Sequence, residues 1–160
     1  MIIVDYNRIA TVNYSKEWAL KHNPNYFNFN SIGGDCTNFA SQCIYAGSGI
    51  MNYSRNNGWY YNSINDRAPA WTSAEYFRRF LLTNNSVGPF GIETALYDLE
   101  IGDIISLYNG NEYYHSLVVV DMSQNVPLVC AHTDDSYMRR FDTYYYESFS
   151  PIHIIGVRKN

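Results

Sequence analysis

The clearest hydrophobic pattern in the chain is a helical stripe that begins at a cysteine. In the segment CTNFASQCIYAGSG, apolar side chains recur three or four positions apart, at Cys36, Phe39, Ala40, Cys43 and Ile44. This spacing places them on one face of an α-helix. The pattern therefore predicts a helix whose buried face starts in its first turn, at the cysteine.

Two other segments have helical patterns. DYNRIATVNYSKEWALKHNP predicts a first helix, with Asp5 as its N-cap and its end before Pro24. In WTSAEYFRRFLLTNN, Thr72 is followed three residues later by Glu75, which is the pattern of a capping box. We therefore expect helices at both places.

From about Leu96 the pattern changes to short, β-branched segments separated by turn residues. GDIISLY, HSLVVVD, PLVCAH and IHIIGVR each predict a strand. Helices that precede strands in this way indicate the α+β class with a small antiparallel sheet at the C-terminal end. The 160 residues suit one domain with one core, and no linker divides residues 1–160.

Two of the predicted strands, HSLVVVD and PLVCAH, each carry a histidine at one end. His115 opens HSLVVVD and His132 closes PLVCAH. A turn centred between Ser123 and Gln124 would pair residue 122 with residue 125, and therefore His115 with His132. Opposed Cβ atoms in a hairpin are ~4.5–5.5 Å apart. We therefore expect the two imidazoles side by side on one face.

The start of the cysteine helix is a favourable place for a nucleophile. Backbone N–H groups in the first turn lack partners and the helix dipole is positive there, so the pKa of Cys36 is expected below the free value of ~8.5. Gly33 and Gly34 leave little bulk in front of the sulfur. Cys43 and Cys130 lie in the middle of predicted elements and are expected to be inert core residues.

A helix-tip thiol and paired histidines predict a catalytic triad. Cys36 would be the nucleophile, His115 the base that deprotonates it, and His132 the residue that fixes the tautomer of His115. Asp134 and Asp135 are alternatives for this third role.

Other residues are candidates for substrate binding. The oxyanion would be held by the Cys36 N–H together with either the Asp35 N–H or the side chain of Tyr26. Trp59 and Trp71 are candidates to line a substrate groove, with packing in the core as the alternative for both.

A zinc site is the competing chemistry, because Cys36, His115 and His132 form an acceptable ligand set. The sequence lacks close-spaced pairs such as C-x-x-C or H-E-x-x-H. We therefore expect neither a metal nor another cofactor.

Composition excludes several classes of partner. The net charge of −4 and the scattered Lys and Arg residues argue against nucleic acid. No apolar run reaches the ~18 residues of a membrane span, and MIIVDYNRIA lacks the pattern of a signal peptide. We expect a cytoplasmic protein, or a secreted or wall-associated one if a leader is missing. An odd number of cysteines, three, makes a disulfide framework improbable, and we expect a monomer.

The chain also resembles a known family. The segments that carry the likeness extend along nearly the whole chain and are YNRIATVNYSKEWA, NPNYFNFNSIGGDCTNFASQC, GWYY, PAWTSAEYFRRFL, IGDIISLY, HSLVVV, AHTDD and a closing HI. They are similar to the putative amidase domain family of Gram-positive bacteria, a branch of the papain-like cysteine peptidases related to the CHAP-type cell-wall amidases.

The resemblance implies a papain-like α+β fold, with a central cysteine-headed helix packed on a small antiparallel sheet. It also implies Cys36 as nucleophile, His115 as base and His132 as the third polar residue. The chain departs from the family in having AGSGI where relatives often have Gly-Gly after the helix. The resemblance also leads us to expect a leader or wall-anchoring module, which we do not recognise in residues 1–160.

These observations lead to one functional hypothesis and two alternatives. The hypothesis is a cysteine-dependent hydrolase that cleaves an amide or peptide bond, in a peptide or in peptidoglycan, through a thioester. The first alternative is an acyltransferase that uses the same thioester. The second is a non-catalytic module that binds carbohydrate or peptide through its aromatic surface and keeps a vestigial site, in a chain with 16 tyrosines.

Overall fold

The predicted strands form part of a seven-stranded antiparallel sheet in the computed structural model, which describes all 160 residues. The strand order is β1-β9-β5-β6-β7-β8, and β4 also pairs with β9, while β2 and β3 form a separate hairpin. The strands are β1 (Ile2–Val4), β2 (Tyr61–Ser63), β3 (Asp66–Arg67), β4 (Gly88–Glu93), β5 (Ile104–Tyr108), β6 (Tyr113–Ser123), β7 (Val126–Ala131), β8 (Ser136–Arg140) and β9 (Ser148–Lys159).

Four α-helices accompany the sheet, so the chain is α+β. They are α1 (Arg8–Trp18), α2 (Cys36–Ser48), α3 (Pro69–Thr72) and α4 (Ala74–Thr83). Helices α1, α2 and α4 contact the central strand β6 and contribute side chains to the same core cluster, so they lie on one face of the sheet. None of the four combines the length and apolar character that a membrane-crossing helix requires.

Both predicted helix caps differ from the structure. The side chain of Asn7, rather than that of Asp5, accepts the N–H of Ala10 at the start of α1. At α4 the cap is Ser73, because Thr72 is the last residue of α3. Glu75 therefore makes no capping box, and its carboxylate accepts the N–H of Tyr113 at 2.8 Å.

The order of helices before strands is also incomplete, because β1 precedes α1 and β4 follows α4 directly. Both strands pair with β9. The sequence of β4, GPFGIE, contains glycine and proline, which are depleted in strands, and β1 has only three residues. The local sequence pattern therefore did not predict β1 or β4. These segments are extended because they hydrogen-bond to β9.

The sheet is covered on both faces, because successive side chains of a strand point to opposite sides. Ile104 and Val118 pack with Phe39 and Phe77 in the larger cluster, between the sheet and the helices. Their neighbours in the strands, including Ile105, belong to the smaller cluster. Cys43 and Cys130 are fully buried in the larger cluster, which agrees with their expected role as core residues.

The register of the β6–β7 hairpin differs from the prediction. Ser123 lies opposite Val126, and a bulge beyond Val119 makes Val118 the partner of Cys130. The turn residues are Gln124 and Asn125, both with positive φ (52° and 66°), so the turn is centred one residue later than expected. If the pairing of Val118 with Cys130 is extended by two residues, residue 132 lies opposite residue 116. The predicted pairing of His115 with His132 is therefore wrong, since a one-residue slip moves a side chain to the other face.

Candidate active site

A tight loop delivers Cys36 to the first position of α2. The two residues before Asp35 are glycines with positive φ, 81° at Gly33 and 100° at Gly34. A Cβ added at Gly34 would lie 3.1 Å from the Thr133 hydroxyl oxygen. Glycine at this position therefore allows the loop to pass close to the segment that follows β7.

Thr133 and Asp134 also have left-handed backbone conformations, with φ of 57° and 64°. This conformation is costly for a residue with a branched Cβ such as threonine, and such strain concentrates at functional sites. The Thr133 hydroxyl accepts the N–H of Asp35 at 2.8 Å, which fixes the two loops to each other.

Cys36 and His115 line the same cavity, which has a volume of about 310 Å³. The Cys36 Sγ atom lies 3.8 Å from the carbonyl oxygen of Tyr114, the residue before His115, and 3.7 Å from the Thr37 hydroxyl. No hydrogen bond joins Sγ to the His115 ring. The remaining residues of the lining are Gly33, Gly34, Tyr114, Thr133, Asp134, Arg139, Tyr144 and Tyr145.

The environment of the thiol opposes its ionisation. Burial raises the pKa of Cys36, and the negative charge of Asp35 adds to this effect. Hydrogen bonds from the Ser116 N–H and from Thr37 act in the opposite direction without reversing it. The expectation of a lowered pKa is therefore not supported, because burial of the sulfur outweighs the favourable helix end.

His115 is neutral at physiological pH. Burial of the ring and the nearby charge of Arg139 together lower its pKa to about 4, against a smaller opposing effect of Asp134. The ring packs between Tyr114 and Tyr144, with centroids 6.2 Å and 6.0 Å away, and neither nitrogen has a hydrogen-bond partner. One ring nitrogen is therefore available to accept a proton.

His132 lies outside this cavity and makes other contacts. Its Nδ1 is 2.6 Å from a carboxylate oxygen of Asp35, and its Nε2 is 2.7 Å from the carbonyl oxygen of Trp18. The ring stacks on Phe39 with centroids 4.0 Å apart. Because both nitrogens face acceptors, both carry a proton and the ring is an imidazolium.

The charges of this pair stabilise each other. Burial disfavours the charged form of His132, but its hydrogen bonds to Asp35 and the Trp18 carbonyl raise its pKa. Burial likewise opposes ionisation of Asp35, but hydrogen bonds from His132, Asn38 and the Phe29 N–H lower its pKa. Asp35 and His132 therefore form a buried ion pair, and His132 makes no hydrogen bond to His115.

None of the four residues predicted to bind the oxyanion or the substrate, Asp35 included, lines the cavity. Trp59 and Trp71 are fully buried, and their indole N–H groups donate to Ser41 Oγ and Asn38 Oδ1, each at 3.0 Å. Tyr26 is half-buried and stacks on Trp71 with centroids 6.1 Å apart. The groove role predicted for the two tryptophans is therefore wrong, because they pack in the core.

The oxyanion prediction also changes. The Asp35 N–H already donates to Thr133, so it is not a free donor. Tyr26 is absent from the cavity lining. The Cys36 N–H stays a candidate, because N–H groups in the first turn have no acceptor within the helix.

A possible metal-ligand cluster differs from the one considered from sequence. Ligand atoms of His22, Asp35 and His132 lie within 4.8 Å of one another, whereas Cys36 and His115 belong to no such cluster. Both nitrogens of His132 are hydrogen-bonded to acceptors and offer no lone pair. The three residues therefore fit an ion pair better than a metal site.

Sequence reasoning missed two residues that line the cavity. The Arg139 guanidinium lies 3.7 Å from the ring centroid of Tyr144 and 3.4 Å from a carboxylate oxygen of Asp134. The Tyr144 hydroxyl is buried without a hydrogen-bond partner. Arg139 belongs to β8, whose sequence SYMRR lacks hydrophobic alternation, so the pattern gave no signal there.

Comparison with known proteins agrees with the resemblance. The "Uncharacterized protein YhbB" of Bacillus subtilis (strain 168) is 34% identical over 140 residues, which cover 84% of this chain and 43% of that protein. The "Uncharacterized protein YjcM" of the same organism is 27% identical over 99 residues, or 62% of this chain and 22% of that protein. This chain thus spans less than half the length of either relative, and no solved structure matches it significantly.

A family model gives the assignment. The model described as the putative amidase domain matches residues 5–155, which include every residue of the cavity around Cys36. Because the match extends over nearly the entire sequence, this chain belongs to the putative amidase domain family.

Proposed function

We propose that this protein is a cysteine-dependent amide hydrolase of papain-like architecture. The observation that carries the proposal is the cavity shared by the Cys36 thiol and the neutral imidazole of His115. Membership of the putative amidase domain family supports hydrolysis of a C–N bond. A helix that begins at the cysteine and packs on an antiparallel sheet supports the papain-like comparison.

In the first half of the reaction, His115 accepts the thiol proton as Cys36 Sγ bonds to the carbonyl carbon of the substrate. The Cys36 N–H would donate to the resulting oxyanion. When the tetrahedral intermediate collapses, the C–N bond breaks and the His115 imidazolium protonates the departing nitrogen. The products of this half are an amine and a thioester on Cys36.

In the second half, a water molecule takes the place of the amine. His115 removes a proton from the water as its oxygen attacks the thioester carbonyl. The C–S bond then breaks, and the imidazolium returns its proton to sulfur. The enzyme returns to its neutral thiol and neutral imidazole.

The resting pair is neutral, and this distinguishes the mechanism from one with a preformed thiolate. Burial disfavours both the thiolate and the imidazolium, so the proton is transferred during attack and not before it. His132 is hydrogen-bonded to Asp35 and to the Trp18 carbonyl and not to His115, so we propose that the third residue of the triad is one of the aspartates that follow it. Asp134 lines the cavity and acts on the charge of His115, which favours it as the orienting residue.

We propose cell-wall peptides as the substrate class. The likeness to cell-wall amidases supports this choice, as do the exposed rings of Tyr114 and Tyr145 at the cavity, which suit peptide or sugar contacts. Peptidoglycan would be incubated with the wild type and with Cys36→Ala, and new amino groups would be counted. We expect release by the wild type alone.

The chemistry of the intermediate needs a second measurement. We expect mass spectrometry of the quenched wild type to show an acyl group on Cys36 and none on Cys43. Transfer of that acyl group to an added amine in preference to water would favour the acyltransferase. Binding of peptidoglycan without release of amino groups would overturn the proposal in favour of a binding module.

A further inference from the structure

The cavity around Cys36 continues into a neighbouring depression. This second depression, of about 500 Å³, shares Gly34, Cys36 and Thr133 with the first one and extends to Thr72 and Ser73 at the start of α4. The thiol therefore lies where the two depressions meet.

Two more depressions continue the series away from the thiol. The third, of about 360 Å³, shares Thr72 and Ser73 with the second. The fourth, of about 370 Å³, shares Arg67, Pro69 and Tyr76 with the third. Because each depression shares lining residues with the next, the four adjoin one another in a row that starts at Cys36, and we call this row the groove.

The far end of the groove, the fourth depression, differs in composition from the rest of the surface. Its lining contains two arginines, three tyrosines and two asparagines but no Asp or Glu, in a chain whose net charge is −4. Arg55 and Arg67 make no salt bridge, whereas Arg8, Arg78 and Arg140 each pair with a carboxylate. The far end thus holds two arginines without a salt bridge, and the carboxylate that acts on its lining, Asp66, lies beside Tyr60.

Arg67 is held in place by contacts that leave part of its guanidinium free. Its Nε donates to the Thr72 hydroxyl at 3.1 Å, its Nη1 donates to the Ile64 carbonyl, and the group lies 4.5 Å above the ring of Phe29. Its Nη2 has no hydrogen-bond partner. A fixed guanidinium loses little entropy when it binds, and it binds carboxylates with good geometry.

The tyrosines of the far end offer aromatic surface beside these charges. Tyr53 and Tyr60 stack on each other with ring centroids 4.7 Å apart, and Tyr53 and Tyr76 are exposed. Asn56 and Asn57 add amide groups that can donate and accept hydrogen bonds. Rings, amides and unpaired arginines together suit a polar polymer that carries negative charge.

We propose that the far end of the groove is a substrate subsite for a carboxylate-bearing segment of the polymer whose amide bond reaches Cys36. This inference rests on the proposed function. The carboxylate belongs either to a sugar ring or to a peptide, and charge complementarity selects an acidic segment in both cases.

Binding to inactive protein tests the subsite separately from catalysis. In a Cys36→Ala background, dissociation constants would be measured by calorimetry for three probes: soluble peptidoglycan fragments, peptide-free glycan strands and an acidic peptide. We expect Arg55→Gln and Arg67→Gln each to weaken binding of the fragments about tenfold, since each removes one charged hydrogen bond. The probe that shows the same loss identifies the source of the carboxylate.

Controls separate this effect from misfolding and from general electrostatics. Arg140→Gln removes an exposed arginine outside the groove and is expected to leave binding unchanged. Arg55 makes no contact that the fold needs, so Arg55→Gln stays informative if Arg67→Gln unfolds. Fragments whose carboxylates have been amidated are expected to bind the Cys36→Ala protein with the same dissociation constant whether or not it also carries Arg55→Gln.

The outcomes distinguish the subsite from the proposed hydrolase. If Arg55→Gln and a folded Arg67→Gln bind the fragments as tightly as the parent, the subsite is overturned, even if Cys36→Ala abolishes hydrolysis. If both arginine variants weaken binding but the wild-type protein releases no amino groups from peptidoglycan, the subsite is a binding site and the proposed hydrolase activity is overturned.

Discussion

His132 and Asp35 form a buried ion pair, with His132 Nδ1 2.6 Å from a carboxylate oxygen of Asp35. The same imidazolium donates to the carbonyl of Trp18, the last residue of α1, where carbonyls lack helical partners and the dipole favours a cation. The pair therefore ties the end of α1 to the residue that precedes Cys36. We assign His132 a positioning role through this contact.

The first prediction concerns stability above neutral pH. Because the pKa of His132 is raised on folding, its contribution is fully present below the unfolded value of ~6.5 and is lost as pH rises through the folded value. We expect the Tm of the wild type to fall over this range and that of His132→Gln to fall less. If the Tm of both proteins falls equally with pH, the effect comes from titratable groups other than His132.

The second prediction concerns removal of one partner. Asp35→Ala leaves a buried imidazolium without its counter-ion and is expected to destabilise the fold by about 3–5 kcal/mol. Urea denaturation of Asp35→Ala, His132→Ala and the double variant would measure the coupling. We expect the double variant to lose less than the sum of the single losses, and strict additivity would show that the pair is not coupled.

The third prediction concerns the reactivity of the thiol. We expect iodoacetamide to modify Cys36 first, because it lines the cavity whereas Cys43 and Cys130 are fully buried. Since burial raises the pKa of Cys36, the midpoint of the rate against pH is expected above the free value of ~8.5. Peptide mapping after alkylation at each pH gives both results. A midpoint near neutrality would instead indicate a preformed thiolate.

The fourth prediction concerns the acidic limb of activity. Protonation of His115 removes the base, so kcat/KM is expected to fall as pH drops towards about 4. Asp134 raises and Arg139 lowers the pKa of His115, so Asp134→Asn is expected to move the limb to lower pH and Arg139→Gln to higher pH. Arg140→Gln, a neighbouring exposed arginine, is the matched control. If the pH at which kcat/KM falls moved in the same direction in both variants, His115 would not be the group whose protonation limits activity.

The fifth prediction concerns the loop before the nucleophile. Gly33 and Gly34 both have positive φ, but only at Gly34 would a Cβ contact Thr133. We expect Gly33→Ala to cost about 1–2 kcal/mol through strain alone. Gly34→Ala is expected to cost more and to lower kcat, because it displaces the Thr133 hydroxyl from the Asp35 N–H. Equal stability and kcat in the two variants would mean that this contact does not position the thiol.

Local pattern determined several features of this protein. The stripe that starts at Cys36 gave helix α2, and β-branched segments gave the strands β5, β6, β7 and β9, since period and propensity are properties of neighbouring residues. The same reasoning placed Cys36 at the start of its helix, as observed, and His115 at the start of its strand, which in fact begins two residues earlier at Tyr113. The two residues share a cavity.

Tertiary structure decided the rest, because it depends on which distant groups meet. The turn at Gln124 and Asn125 and one bulge moved His132 away from His115 and towards Asp35. Trp59 and Trp71 are buried in the core, whereas the sequence alone could not decide between a substrate groove and the core for either of them. Burial also set the protonation of Cys36 and His115, since desolvation by the folded chain outweighs the local effect of a helix end.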